Sequence, residues 1–172
     1  RAKEAIGKVT NRLYQPVLEM TATLSEEFKW IISGEAERFV DEFIATEHTF
    51  QEYTKQLNQM KQYFVNIQLL RETDFFPGVE VSLNTFKYSL MKIGKAQVDK
   101  MLKKMLDDHF EDVSDITYQY KTAADIALKK PDTTEEMLGL VSTMTVFKNK
   151  KMQELLNRID DAKQRMKFLM EE

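Results

Sequence analysis

Apolar residues recur at alternating intervals of three and four along residues 36–71, the most regular pattern in the chain. One row has a spacing of seven and consists of Phe43, Phe50, Leu57 and Phe64. A companion row, offset by three, consists of Thr46, Tyr53, Met60 and Ile67. This spacing is typical of one buried helix face, and over several heptads it indicates a coiled-coil-like seam. The pattern therefore predicts a helix over residues 36–71.

Two longer helices are predicted in the second half of the chain. Residues 83–129 contain no proline, and their apolar stripes are Leu83, Phe86, Leu90 and Ile93, followed by Leu102, Leu106, Phe110, Val113, Tyr120 and Ala124. Residues 134–172 contain the series Met152, Leu155, Ile159, Ala162, Met166 and Leu169. Between Met144 and Met152 the series passes through Lys148, where an apolar residue is expected. This adds a four-residue offset, called a stutter, which predicts local unwinding of a coiled coil.

A helix boundary is encoded between these two helices. Pro131 cannot continue the preceding helix, because it lacks a backbone N–H and crowds the turn before it. Thr133 stands three residues before Glu136, which is the spacing of a capping box. One helix therefore ends and another begins within a few residues, which favours an antiparallel pair. We expect the facing residues to be Tyr120, Ala124 and Ala127 on one helix and Met137, Leu140 and Met144 on the other.

The remaining elements are shorter. Pro16 interrupts the first helical pattern and predicts helices over residues 2–13 and 17–32, the second ending at Ser33-Gly34. Pro77-Gly78 suits the centre of a type II turn, because glycine supplies the positive φ that this turn requires. We expect a short extended connector at residues 79–81, with Ser82 as the N-cap of the third helix.

These elements predict an all-α protein, an elongated bundle of long helices with coiled-coil-like heptad packing. We expect a helical bundle segment over residues 1–75 and a long helical hairpin over residues 76–172. The helix over residues 83–129 would be about 70 Å long, whereas a compact domain of this size is only about 40 Å across. The C-terminal residues stop within a helical pattern, so we expect the chain to be part of a longer protein.

Composition narrows the class of protein further. Only five Gly and three Pro among 172 residues, with 31% charged residues, favour helices throughout. The formal net charge of -3 gives no electrostatic case for a nucleic-acid partner. No apolar run approaches the ~18 residues of a membrane span, so no membrane contact is expected. The absence of cysteine from the sequence excludes disulfides and thiolate metal sites and fits a reducing, intracellular compartment.

Two segments come nearest to candidate chemistry. Gly7-Lys8-Val9-Thr10 lacks the upstream glycine of a phosphate-binding loop and the Ser/Thr directly after the lysine. Residues 107–115 gather five carboxylates and His109, but neither His48 nor His109 has an acidic residue three positions before it. The carboxylates also fall around most of the helix, which favours a solvated or partner-facing acidic face over a cation site. We predict no catalytic, cofactor-binding or metal-ligating residue.

An ordered series of segments from Phe76 onwards indicates a family. The Phe-Pro-x-x-Val-type connector at residues 76–81 precedes a long helix that begins Ser82-Leu83-Asn84-Thr85-Phe86. The hinge at residues 130–137 contains a Pro-x-x-Thr-Glu-Glu-Met sequence, and a charged helix follows over residues 155–169. In this order the segments resemble the stem of an axonemal dynein heavy chain, just before its linker. Residues 47–53 are also similar to that stem, although the first part of the chain matches it more loosely.

The resemblance implies a structural stem segment of an ATP-driven ciliary or flagellar microtubule motor, which anchors the motor and transmits force. The AAA modules, with their ATP and Mg²⁺, would belong to other parts of the parent chain, so this segment is not expected to be an enzyme. Implied partners are dynein light or intermediate chains and other axonemal dynein or docking proteins, with microtubule contact only through other parts of the complex. The implied location is the cytoplasm and cytoskeleton, in the axoneme of a cilium or flagellum.

Two alternatives remain open at the level of the sequence. A spectrin-like or tethering helical bundle without a motor would show the same heptad patterns. A helical metalloenzyme is the weaker alternative, because no ligand spacing supports it. The sequence that follows Glu172 would discriminate the motor hypothesis, and metal analysis would discriminate the metalloenzyme.

Overall fold

The computed structural model describes residues 2–171, with side chains from residue 7 onwards; Arg1 and Glu172, which belong to the predicted segments, lie outside the described residues. The described chain is helical apart from one β-hairpin and short loops, which confirms the predicted all-α class. The helices are α1 (Ala2–Glu27), α2 (Lys29–Ile32), α3 (Glu35–Ile44), α4 (Phe50–Leu69), α5 (Asn84–Leu128), α6 (Thr134–Val146) and α7 (Met152–Glu171). A π-helical turn, Phe147–Lys151, joins α6 to α7, and the strands are β1 (Thr73–Phe76) and β2 (Val79–Ser82).

By packing, the chain divides into two compact units, Arg1–Met101 and Leu102–Glu172, and the division falls within α5. Because this division falls inside one continuous helix, it separates two packed clusters of residues. It therefore does not test where one folding domain ends and the next begins. The predicted boundary between residues 75 and 76 therefore stays a prediction.

Helix α1 continues through Pro16, so the predicted break into helices 2–13 and 17–32 is wrong. A proline in a helix interior removes one hydrogen bond and costs about 3 kcal/mol, but it need not end a helix that is held on both sides. Leu24, near the end of α1, packs against a buried cluster that anchors the second half of the helix. The chain departs from α1 only at Phe28, after which α2 extends to Ile32.

The predicted helix over residues 36–71 is two helices, because the chain leaves α3 after Ile44 and re-enters a helix at Phe50. Thr49 caps α4 with a complete capping box: its side chain accepts from the N–H of Glu52 (3.3 Å). In return, the Glu52 carboxylate accepts from the N–H of Thr49 (2.8 Å). This Thr-x-x-Glu signal is present in the sequence, but the continuous heptad pattern concealed it. Within α4 the predicted seam is correct, since its buried residues are Tyr53, Leu57, Met60 and Ile67.

The predicted connector after Pro77-Gly78 is the second strand of an antiparallel β-hairpin. Phe76 pairs with Val79 across the two-residue turn, and Gly78 has the expected positive φ of 80°. Ser82 ends β2 instead of capping α5, so its prediction as an N-cap is wrong. The backbone N–H of Leu83 donates to the carbonyl of Glu72 (2.8 Å), which extends the ladder to the start of α5. These are the only strands among residues 2–171.

The first unit is built around an apolar cluster contributed by several helices. Its buried members are Phe28, Ile31, Ile67 and Leu90. Trp30 stacks on Tyr63 at the edge of this cluster, with ring centroids 4.8 Å apart. Lys100 ties α5 to α3 through Glu37 (3.1 Å) and Asp41 (3.0 Å). The cluster joins segments distant in sequence, so packing holds these helices in place more than intrinsic helix propensity does.

The buried row of α5 differs from the predicted stripes. Beyond Leu90 it consists of Gln97, Met101, Met105, His109, Ile116 and Ala123. Most of the predicted second stripe is exposed instead: Leu106, Phe110, Val113 and Tyr120. The prediction was wrong because the buried row contains two polar residues, whereas an almost unbroken apolar series stands one position later. Hydrophobic periodicity selects the more apolar series whichever face is buried.

The last helical rod begins where the sequence predicts. Thr133 accepts from the N–H of Glu136 (3.2 Å), while the Glu136 carboxylate accepts from the N–H of Asp132 (3.0 Å), one residue before the expected partner. The predicted stutter at Lys148 coincides with the π-helical turn Phe147–Lys151. A π-turn accommodates extra residues within a helix, so α6 and α7 form one uninterrupted helical backbone with a shifted register.

Two glycines in helices should respond oppositely to alanine. Gly139→Ala in α6 is expected to stabilise the chain by up to about 1 kcal/mol, because alanine favours helix and nothing lies within 4 Å of the new methyl group. Gly94→Ala is expected to destabilise it by about 1 kcal/mol, because its Cβ would lie 2.9 Å from the Phe64 ring. Urea denaturation followed by circular dichroism measures both changes. Equal stabilisation by both substitutions would contradict the close approach of Phe64.

Candidate functional site

The second unit is a helix pair joined by the hinge at residues 129–133. Its buried cluster consists of Ile116 from α5 with Leu155 and Ala162 from α7, and Phe147 and Ile159 pack against it. Nearer the hinge, Ala127 lines a cleft together with Met144. Earlier positions on α5 thus meet later positions on the last rod, so the two run antiparallel, as the hinge sequence predicts.

A cluster of ion pairs lies beside this apolar seam, and we call it the arginine cluster. The Asp112 carboxylate accepts from Arg158 Nε (3.1 Å) and Nη2 (2.5 Å) through Oδ1, and from Arg165 Nη2 through Oδ2. Arg158 Nη2 also donates to Asp115 (2.8 Å). The three central side chains are largely shielded from water, with relative exposures of 28% for Arg158, 22% for Asp112 and 17% for Arg165. Charge-assisted bonds in such partly dry surroundings are stronger than exposed surface pairs.

Two groups of this cluster, Asp112 and Arg158, have shifted pKa values. Burial alone would raise the pKa of Asp112, but the hydrogen bonds from Arg158 and Arg165 outweigh burial and hold that pKa below its ordinary value of 3.8. The hydrogen bond to Asp112 raises the pKa of Arg158 in turn. Asp112 is therefore ionised at neutral pH, and the cluster acts as a permanent clamp between α5 and α7.

His109 lies one turn before Asp112 in the buried row of α5 and is 5% exposed. Burial lowers its pKa, and the nearby positive charge of Arg165 lowers it further against the opposing effect of Asp112. Neither Nδ1 of His109 nor Nε of Arg165 has a hydrogen-bond partner among the described residues. The imidazole is thus a neutral component of the seam at neutral pH, between an aliphatic core and the arginine cluster.

The acidic segment over residues 107–115 is divided by these contacts. Asp112 and Asp115 pair with Arg158, and Asp108 pairs with Lys104 on its own helix (2.5 Å), whereas Asp107 and Glu111 are exposed. Part of the predicted solvated or partner-facing face is therefore used inside the fold. No group of three or more His, Cys, Asp or Glu that could hold a metal ion occurs in the part of the chain that the structure describes.

The sequence did not indicate the arginine partners of this segment. Arg158 and Arg165 are seven residues apart, hence on one face of α7, and Asp112 and Asp115 are three apart on one face of α5. Opposite charges with these spacings flank a heptad seam and are a usable signal once the helices are known to be antiparallel. The other candidate, Gly7-Lys8-Val9-Thr10, lies inside α1 with exposed side chains and does not form a loop that could surround a phosphate.

A second feature of this unit is an apolar cleft next to the hinge, with a volume of about 700 Å³. We call it the hinge cleft. Its apolar lining residues are Ile126, Ala127, Pro131, Met137, Leu140, Val141, Met144, Phe147 and Met152. Lys129, Lys148 and Thr145 complete the lining. Of the residues predicted to face one another, Ala127, Met137, Leu140 and Met144 line this cleft together, although Ala127 and Met137 remain exposed. Tyr120 and Ala124 do not line it.

Comparison with known proteins supports a relation to axonemal dynein heavy chains. No protein-family model matches the chain. The chain is 26% identical over 149 residues to dynein axonemal heavy chain 12 of Rattus norvegicus and of Homo sapiens, which covers 87% of this chain and 5% of each relative. The resemblance to axonemal dynein heavy chains is confirmed. Dynein axonemal heavy chain 3 of Mus musculus is also similar, with 24% identity over 147 residues, 82% of this chain and 4% of the relative.

The similarity to axonemal dynein heavy chains supports a component of a dynein motor. The chain spans about 5% of the length of the heavy chain 12 relatives. Their names refer to the axoneme, and the predicted location in the cytoskeleton of a cilium or flagellum is confirmed at the level of these relatives. Among the described helices, none is both long and apolar enough to cross a membrane.

Proposed function

We propose that this chain is a structural segment from the stem of an axonemal dynein heavy chain, which anchors the motor and transmits force. The observation that carries the proposal is the similarity over 87% of the chain to a short part of much longer motor proteins. Within the proposal, ATP and Mg²⁺ are bound by other parts of the parent chain, and this segment has no catalytic role. Its exposed faces dock light or intermediate chains and other axonemal dynein or docking proteins.

The helix pair of the second unit offers a physical basis for force transmission. A force applied along α7 reaches α5 through the packed seam and through the arginine cluster, not through the hinge alone. The clamp resists sliding of one helix along the other, because a shift of one turn would separate Asp112 from both of its arginines and leave charges partly buried without partners. Stiffness along the pair is therefore the property that the segment supplies.

Replacement of residues 84–171 by a Gly/Ser linker of equal length tests this role in the parent heavy chain. Such a linker behaves as a flexible coil and bears little compressive load. We expect ATP hydrolysis to remain near its original rate while the speed and force of microtubule gliding fall severalfold or more. The control chain has the same linker added at its N-terminus. Unchanged gliding with the internal linker would contradict the proposal.

A non-motor tethering bundle is the second candidate function. The long α5 and the exposed apolar side chains of α6 would serve a spectrin-like scaffold equally well. The coding sequence after Glu172 distinguishes the two: a dynein linker followed by AAA modules is expected for the motor, and a further helical repeat for the tether.

A further inference from the structure

Helix α6 is the long helix of the second unit that contributes no residue to the buried core. None of its residues, all of which the structure describes, is buried. Met137 and Val141 are each 56% exposed although they are apolar, and Leu138 is 66% exposed. In α7, by contrast, Leu155 and Ala162 are buried against α5. The apolar surface of α6 therefore remains available on the hinge cleft and beside it.

The π-helical turn accounts for this difference between α6 and α7. With a continuous α-helical register, the stripe that buries Leu155 would extend upstream through Lys148, a residue that favours water. The π-turn shifts the register between the two helices, and π-turns occur frequently at functional sites. Phe147, the first residue of the π-turn, and Met152, the residue directly after it, both line the hinge cleft. The register shift and the cleft thus belong to one local structure.

The charged residues that line the hinge cleft are of one sign. They are Lys129 and Lys148. Further lysines follow closely in the sequence (Lys130, Lys150 and Lys151), as do acids that do not line the cleft (Asp132, Glu135 and Glu136). In the described part of the chain, no acidic residue lines the cleft, and none of these five lysines forms a salt bridge. The described lining is thus a methionine-rich apolar floor with a positive rim formed by Lys129 and Lys148.

We propose that the hinge cleft binds an acidic amphipathic helix of a partner protein. Its apolar face would lie on the floor formed by Met137, Leu140 and Met144, since flexible methionine side chains adapt to helical ligands. Its carboxylates would meet Lys129 and Lys148. α6 has 13 residues, about 20 Å, which matches a partner helix of three to four turns. A second copy that presents the same cleft fits poorly, because it would bring the same two lysines. The proposal deepens the docking role proposed above and rests on it.

The test uses the 172-residue chain and a fluorescent synthetic peptide of about 18 residues, with Leu at helical i, i+3, i+4 and i+7 positions and Glu elsewhere. Two comparison peptides have Lys in place of Glu, or the same Glu and Leu residues in shuffled order. In fluorescence anisotropy, the acidic amphipathic peptide should bind at least about tenfold more tightly than either. Equal binding of the shuffled peptide would reduce the interaction to nonspecific charge attraction and overturn the proposal.

Four variants locate the interaction. The double variant Lys129→Glu with Lys148→Glu should weaken binding of the acidic peptide at least about tenfold and should increase the affinity for the basic peptide. The control is Lys92→Glu with Lys95→Glu, which changes the total charge equally at exposed lysines far earlier on α5. The control should alter neither affinity. Met137→Gln and Val141→Gln, at exposed positions that leave the core intact, should each weaken binding. Unchanged affinity in the cleft variants would overturn the proposal.

Analytical ultracentrifugation of the same samples tests whether a second copy of this chain occupies the hinge cleft instead. A dimer that dissociates in the Met137→Gln variant would identify a second copy as the occupant and overturn the proposal. The peptide measurement needs no motor, so its failure is distinguishable from failure of the force-transmission role, which the gliding experiment measures separately.

Discussion

Phe28→Ala is expected to lower the free energy of unfolding of the first unit by about 3–5 kcal/mol. The Phe28 side chain is 1% exposed and lies in the buried cluster with Ile31, Ile67 and Leu90. It also makes an edge-to-face contact with Phe86, with ring centroids 6.2 Å apart. Removal of the ring leaves a cavity that α1, α4 and α5 cannot all close at once, so both transfer and cavity costs apply.

Trp30, the single tryptophan of the sequence, reports on this unit directly. Its fluorescence during urea denaturation should show an earlier midpoint for Phe28→Ala than for the unaltered chain. Lys29→Ala is the control, because Lys29 is exposed and makes only a surface pair with Glu26 (3.3 Å). The control should stay within about 0.5 kcal/mol of the original stability. If Lys29→Ala were as damaging as Phe28→Ala, the assigned core would be wrong.

Asp112→Asn is expected to destabilise the second unit by about 2–3 kcal/mol. The amide is nearly isosteric, but it removes the negative charge opposite Arg158 and Arg165, which remain largely shielded from water. Its NH₂ group would also face an arginine donor. Hydrogen–deuterium exchange at the backbone amides of α7 should accelerate correspondingly. Asp107→Asn, an exposed carboxylate on the same helix, is the matched control and should leave exchange almost unchanged.

The stability difference between the unaltered chain and Asp112→Asn should depend on pH. Asp112 has a lower pKa in the folded chain than in the unfolded one, where an Asp titrates near about 3.9. Its stabilising contribution is therefore fully present above that unfolded value and is lost as the pH falls through the folded pKa. The stability gap between the unaltered chain and Asp112→Asn should narrow below pH about 4. A gap that stays constant there would show that the carboxylate charge is not what stabilises the pair.

The sequence predicted the all-α class, the hinge and the α4 seam correctly because each has a local cause. Thr133 and Pro131 act within one turn, and a stripe of large apolar residues marks the buried side of α4. The α5 seam was mispredicted because tertiary packing buries Gln97 and His109 and leaves Phe110 exposed, against their individual preferences. Pro16 was misjudged for a related reason, since contacts made elsewhere on α1 override a local penalty.

The candidate site was less predictable than the fold. The arginine cluster depends on which residues of α5 and α7 lie opposite each other, and a one-residue change of register would pair different charges. Family resemblance indicated the class of protein but no contact. Lys129 and Lys148 stand among nearby acids in the sequence, and only the folded chain shows that no acid is among the described lining residues of the hinge cleft.

The π-helical turn Phe147–Lys151 separates two properties that a regular helix keeps together. The axis passes without interruption from α6 into α7, so a push along it is transmitted. The direction in which the side chains point around that axis is not carried over in the same way. The shifted register turns the α6 face away from the direction that α7 presents to α5. One continuous rod thus presents two faces at a fixed angle to each other, one held against α5 by the arginine cluster and the other lining the hinge cleft.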